Sequence, residues 1–361
     1  MNKISTRQLC FFLAAIAPVG KIILLPTSLV HYAKNDLLFP AAMNFLLQAC
    51  IVFLVLLLAK NETSFYELVA NKLGHIAAKI ILCIFALFFF FAALLPLLEQ
   101  KLCVHSVFYD TLPTNVMASC FYLFSAYMCA KPLASFGRTW DILAPLAIAA
   151  FAGILLFSVK AVDFGALAPA LQSGGKGIFQ GFAYSMSWFF DSAILLSFLG
   201  KIDYKKGLPW KGLVCYLAGA CGVLFFLAVF YGVFQETAIN QLFAFSKISR
   251  YFSGVESLGR IDYLFIFGLS LVMAFYVALP LQAGIDLLRQ CFGSRKRRFL
   301  PEILSVVVNA AMFTATFLLD HRYQSLHEVV CVKLFWIFPV FCLLLPALAL
   351  LLKIRRRHET Q

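Results

Sequence analysis

The stretch Ala17-Pro18-Val19-Gly20-Lys21 lies in the middle of an apolar run from about Leu9 to Val30. It places a helix breaker, a flexible residue and a charge where a membrane helix reaches mid-bilayer. Proline removes a backbone donor and clashes with the preceding turn, and glycine adds freedom, so backbone groups at that depth need other partners. The stretch predicts a broken helix lining a cavity, with half of a ligand site at the break. A lysine at that depth costs about 3 kcal/mol on insertion scales unless it is paired or hydrated.

The rest of the chain fixes the class. Of 361 residues, 62% are hydrophobic and 13% charged, and the mean hydropathy is +0.89, whereas soluble domains carry about 25% charged residues. The chain reads as an all-α polytopic membrane protein. A spanning helix takes roughly 20 apolar residues, which leaves room for about ten spans and no sizeable soluble domain. Spans are expected at about 8–31, 37–59, 76–103, 112–130, 141–160, 178–200, 211–235, 261–289, 300–319 and 329–353. The net charge of +13 would suggest nucleic acid in a soluble chain. Here, however, most Lys and Arg fall in connectors and flanks on one side, among them Lys205, Lys206, Arg295, Lys296, Arg297, Arg298, Arg355, Arg356 and Arg357. That bias predicts cytoplasmic termini, a basic cytoplasmic tail at 354–361 and no nucleic-acid partner.

Three local patterns are set aside. Lys3 and Arg7 before an apolar run, with Ala15-Ile16-Ala17, suggest a signal peptide, but Pro18 directly after that site argues for a retained first span. The 11 cysteines show no Cys-x-x-Cys and no Cys/His spacing suited to zinc, so they read as small buried hydrophobes, with no metal or cofactor expected. His105 and Asp110 match the His-x4-Asp spacing of glycerolipid acyltransferases, a spacing common by chance and without a phosphate-binding motif here. No enzymatic activity is expected.

Two connectors opposite the basic side are longer than the others. Residues 162–177 carry Pro169, Gly174, Gly175 and Gly177, and 236–260 alternate polar residues with Phe243, Phe245, Ile248, Tyr251 and Phe252, a pattern that predicts a short amphipathic helix lying on the bundle. Ser64 and Glu67 have capping-box spacing and predict a short helix before span three. There is no internal repeat by sequence similarity, yet ten spans can hold two inverted five-span halves, at about 8–160 and 178–353. Span six is then the counterpart of span one. Its centre, Tyr184-Ser185-Met186-Ser187-Trp188-Phe189-Phe190-Asp191, holds hydroxyls and an acid but neither Pro nor Gly.

Several stretches, in order and spacing, resemble the endospore germination permease family, the B subunit of nutrient germinant receptors within the amino acid–polyamine–organocation superfamily. They are Ile4-Ser5-x-Arg7-Gln8-Leu9 leading to Gly20 and Pro26; Ser64-Phe65-Tyr66-Glu67-Leu68 with Leu73-Gly74; Phe164 to Leu171 with Gly174 and Gly177; and Arg260-Ile261-Asp262. Lys21 departs from the small neutral residue of the family's break, and the usual Trp of span eight is absent. The resemblance implies a transporter-like fold of two inverted five-helix repeats, with spans one and six discontinuous and the ligand between them. It also implies partner A and C subunits and residence in the spore inner membrane.

On that reading the chain binds a small nutrient, an amino acid by preference, and triggers germination by a conformational change. The alternatives are a proton-coupled, sodium-independent amino-acid transporter and a non-binding assembly subunit. The ligand carboxylate is expected near Pro18, Val19, Gly20 and Lys21, its ammonium near carbonyls around Tyr184, Ser185 and Ser187, and Trp188, Phe189 and Tyr184 as pocket walls, since half-helix ends supply such donors and acceptors. Lys21 has three readings: a contact to the ligand carboxylate, a fixed cation in place of a bound ion, or a structural partner of Asp191 or Glu99. Arg260 and Asp262 are candidates for a gate.

Overall fold

A computed structural model describes residues 3–61, 63–108, 113–249, 262–292 and 300–358. Among the described residues the protein is all-helical; the exception to helix and loop is an isolated parallel bridge between Ile4 and Ile202. Six stretches are long and apolar enough to cross a membrane: Leu38–Leu58, His75–Val107, Leu133–Ala161, Leu208–Asn240, Tyr263–Cys291 and Leu300–Lys333.

In chain order the helices are α1 (Thr6–Val19), α2 (Leu25–Ala33), α3 (Leu38–Leu58), α4 (Phe65–Leu73), α5 (His75–Phe108), α6 (Thr114–Ala130), α7 (Leu133–Ser158) and α8 (Gly174–Ser185). They continue with α9 (Asp191–Ser197), α10 (Leu208–Phe234), α11 (Ala244–Ile248), α12 (Asp262–Cys291), α13 (Leu300–Leu319), α14 (Tyr323–Glu328) and α15 (Ile337–Lys353).

The helix starts follow local rules. Ser5 caps α1 by accepting from the Gln8 amide at 3.3 Å, while Gln8 Oε1 accepts the Ser5 N–H at 3.1 Å. Ser64 and Glu67 form the same reciprocal box at α4, as their spacing predicted.

The centre of the bundle is made by α12 lying along α5, with α3 against α10 and α6 against α13. Where lipid tails are as apolar as leucine, close helix contact depends on small residues and interhelical hydrogen bonds rather than on apolar burial. Gly219 of α10 supplies the first: a Cβ there would lie 2.9 Å from Leu13 O and 3.0 Å from Ala14 O. Ala14 sits four residues before Pro18, whose missing N–H leaves that carbonyl without its helical donor. Tyr122 supplies the second, its hydroxyl 2.8 Å from Thr316 Oγ1 between α6 and α13.

Candidate functional site

The first interruption lies just beyond Pro18. A π-turn over Phe12–Ile16 lets Ala17 N–H reach Phe12 O, so the helix absorbs the proline and runs on to Val19. It then loosens: Lys21 N–H bonds to Pro18 O at 2.9 Å, and regular helix resumes at Leu25, with Pro26 in the first turn of α2. Gly20 is required where it stands, because a Cβ would enter the Tyr276 ring of α12.

The opened backbone is packed against protein for most of its length and meets a pocket only at Leu24. Ile22, Ile23 and Leu24 are buried, and Ile23 O accepts from Ala244 N–H of α11 at 3.0 Å. Thr27 Oγ1 donates to Gln241 O at 2.6 Å just before α11. The sequence pattern predicts a short amphipathic helix lying on the bundle in this connector, of which Tyr251 and Phe252 lie outside the described residues. The helix is there, with Ala244, Phe245 and Ile248 buried, but Ser246 and Ser249 are buried too, so α11 plugs the break. Its hydroxyls turn back on the chain: Ser246 Oγ donates to Phe243 O and Ser249 Oγ to Ser246 O, which lets polar residues enter the core.

The second interruption, between α8 and α9, spans Met186 to Phe190. With no Pro or Gly available, it is held from outside. Asn44 Nδ2 donates to Phe182 O at 2.9 Å and to Ser185 Oγ at 2.8 Å. One turn further along α3, Gln48 Nε2 donates to Phe189 O at 2.8 Å and its Oε1 accepts from Ser192 N–H at 3.4 Å. The amide side chains thus replace helical partners that the break removes. Sequence reasoning misses both, and their one trace in the chain is two amides a turn apart in an apolar helix.

Between the interruptions lies an ion pair. Lys21 Nζ is 2.7 Å from Asp191 Oδ2, both side chains being at most 1% exposed, and it also donates to Ala17 O at 3.3 Å. The ammonium lies 5.3 Å from the centre of the Phe189 ring. Of the three readings of Lys21, pairing with Asp191 is the contact seen. The buried Tyr216 hydroxyl also faces the Asp191 carboxylate.

Glu99 is the other fully buried acid of the centre, and among the described residues no cation pairs with it. Trp188 Nε1 donates to its Oε2 at 3.4 Å, and Oε1 has no partner. The Trp188 ring packs at a tilt against His327 of α14, with ring centres 5.7 Å apart. His327, with Leu24, Thr27, Ser28, His31 and Tyr32, lines a pocket of about 310 Å³ between α2 and α14. Tyr184 lies behind this wall, edge-on to Tyr32 at 4.9 Å, and Ser187 Oγ meets Cys331 Sγ at 3.2 Å. Tyr184 and Trp188 therefore back the pocket, through Tyr32 and His327, whereas Ser185 faces Asn44 and Pro18, Val19 and Gly20 lie at the first break. Arg260 lies outside the described residues, as does the side chain of Asp262, so the expected gate is not described.

At the other end of the bundle the chain is laced shut. Ile4 N–H bonds to Lys201 O at 2.8 Å and Asp203 N–H to Ile4 O at 2.9 Å. Lys201 Nζ reaches Asp286 Oδ2 at 2.9 Å; Arg289 holds Oδ1 of the same carboxylate at 3.1 Å and donates to Cys129 O at 2.7 Å. Loop, α12 and the end of α6 are tied at one carboxylate.

A chain that is all-helical in its described residues, with six apolar helices long enough to span a membrane and two interrupted helices joined through a buried charge pair, is a permease-like integral membrane protein. Residues 3–318 match the family model described as spore germination protein, the spore permease family, and the chain belongs to that family. It is thus a germination-related membrane protein. No curated protein matches the chain.

Proposed function

We propose that this protein is the B subunit of a spore nutrient germinant receptor, which binds a small nutrient, an amino acid by preference, and passes the signal to A and C subunits by a conformational change. Family membership supports the germination role. The observation that carries the binding role is the apposition of two interrupted helices, at Gly20 to Leu24 and at Met186 to Phe190, beside a pocket of about 310 Å³. That volume is at the lower end of the range for small-molecule sites.

Ten spans follow if α1 with α2, α6, α8 with α9, and α15 are added to the six long stretches. In an arrangement of two inverted five-span repeats, α1/α2 and α8/α9 are the corresponding broken spans. Both termini are then cytoplasmic, in the spore inner membrane, with the pocket opening on the opposite side and the Lys201–Asp286–Arg289 ties closing the cytoplasmic end.

In this account Lys21 is a fixed internal cation whose charge Asp191 neutralises, so the site works without sodium. The ligand meets α2 and α14, and the Lys21–Asp191 pair carries displacement of the first broken helix to the second. Signalling is a population shift: the ligand favours the arrangement in which it fits best. Deleting the gene and scoring spore germination against a panel of single nutrients tests the reading. Loss of the response to one nutrient, restored by the gene in trans, is expected; normal responses to every nutrient overturn it in a strain without a second receptor. Uptake of the same nutrient into vesicles bearing this chain alone would favour the transporter alternative.

A further inference from the structure

A second pocket, of about 330 Å³, lies away from the broken helices, between α5, α6 and α12. Its walls are mostly apolar, among them Phe121, Phe124, Phe267 and Leu271. Phe267 is 60% exposed and Leu271 39% exposed on the face that a spanning helix turns to lipid, so the pocket opens sideways into the bilayer.

Of the polar side chains that line it, the Tyr122 hydroxyl is paired with Thr316, whereas Gln100 of α5 and Ser270 of α12, each 7% exposed, carry unpartnered atoms. The Gln100 amide is anchored by its nitrogen, which donates to Ser270 O at 3.2 Å. This leaves Gln100 Oε1 as an acceptor without a donor, and Ser270 Oγ also has no partner. A buried acceptor and a buried hydroxyl left unpaired side by side are unfavourable unless something in the pocket bonds to them.

The charged residue of the lining, Lys101, narrows what that something is. Its ammonium is committed to Asp320 Oδ2 at 3.1 Å and to Asn115 Oδ1 at 2.6 Å. Its charge is spent within the protein, so the pocket offers nothing to balance an anionic headgroup. One acceptor and one donor-acceptor suit a single neutral hydroxyl.

We propose that this pocket binds a neutral single-chain amphiphile from the bilayer through its hydroxyl. The hydroxyl donates to Gln100 Oε1 and accepts from Ser270 Oγ, and the chain lies along Phe121, Phe124 and Leu271. The site is independent of the nutrient pocket, but it shares helices with the central charges. Gln100 follows Glu99 in α5, and α12 carries Tyr276, which fills the space beside Gly20.

The test uses the purified full chain in nanodiscs and a photoreactive, alkyne-tagged analogue of 1-hexadecanol, with the carboxylic acid of the same length as comparison. The alcohol is expected to label peptides of α5, α6 and α12 and to be displaced by unlabelled 1-hexadecanol. Gln100→Leu/Ser270→Ala should lower that labelling about tenfold, the equivalent of two neutral hydrogen bonds. Ser270→Ala alone breaks no bond present in the protein, so it should fold normally and lower labelling severalfold, which keeps the test decisive should the double variant misfold. Labelling equal in Ser270→Ala and the parent, labelling spread evenly over the lipid face, or equal labelling by the acid overturns the proposal.

Discussion

Lys21 Nζ and Asp191 Oδ2 meet at 2.7 Å across 170 residues of sequence, inside a bundle that closes both side chains to solvent. The contact joins the residue that follows Gly20 at the first break to the residue that starts α9 after the second. Removing one member strands the other charge, which costs about 3–5 kcal/mol for a buried pair, whereas replacing both by apolar residues is often neutral. Lys21→Met and Asp191→Leu are each expected to lower the thermal midpoint in detergent steeply, and Lys21→Met/Asp191→Leu to recover most of the loss. Losses that simply add would show that the two residues do not act as a pair.

Gln48 is expected to matter for the shape of the second break rather than for bulk packing. Gln48→Leu keeps the volume but leaves Phe189 O without its donor and Ser192 N–H without its acceptor. An unpaired buried group costs about 1–3 kcal/mol. Hydrogen exchange at residues 186–193 should quicken in this variant while α10 and α12 stay protected; uniform protection would place the support of the break elsewhere.

Such residues mark what sequence reading reached and what it missed. Pro18, Gly20 and Lys21 announced the first break, because Pro and Gly act through local backbone chemistry. The second break has no local cause: Asn44 and Gln48 hold it from another helix, and an interaction across more than a hundred residues leaves only a faint trace in the chain. Pro18 itself sits within helix because the π-turn before it absorbs the defect. The span expected at about 141–160 begins earlier, with α7 starting at Leu133, since Arg138 and Asp141 are accommodated near the bundle end, where Arg7 pairs with Asp141 at 3.1 Å. Alternating polarity in 236–260 predicts a short helix lying on the bundle; Ala244–Ile248 is helical, and Ser246 and Ser249, bonded to their own turn, are buried with its apolar residues.

Gly20 faces Tyr276 with no room for a side chain. Gly20→Ala is expected to destabilise by about 1–3 kcal/mol through overpacking. Tyr276→Ala in the same chain should relieve the clash and recover part of the loss, read as a higher thermal midpoint for the double variant than additivity gives. Additive losses would mean that the ring moves aside without strain.

The connector before α8 should loosen in acid. Burial raises the Asp36 carboxyl, but hydrogen bonds from the Ser173 hydroxyl, Ser173 N–H and Leu171 N–H outweigh it and hold the group below its ordinary 3.8. A depressed carboxylate contributes stability above its unfolded value, and that contribution is lost as pH falls through the folded value. Protease nicking at 163–177 should therefore be slow at neutral pH and rise below about pH 4, near the unperturbed aspartate value. Asp36→Asn should be nicked faster at neutral pH and lose the pH dependence; an unchanged profile would remove Asp36 from the clasp.

Nutrient binding beside the broken helices is tested most directly by ligand-dependent stabilisation of the purified chain in nanodiscs, screened with each L-amino acid. A ligand present at a hundredfold excess over its Kd adds about 2.7 kcal/mol to a folded state that alone binds it. The account predicts that at least one amino acid raises the thermal midpoint, and that Ser28→Trp, which fills the pocket between α2 and α14, abolishes the rise while leaving the unliganded midpoint near its parent value. A rise that survives Ser28→Trp in full, or none with any amino acid, would contradict it.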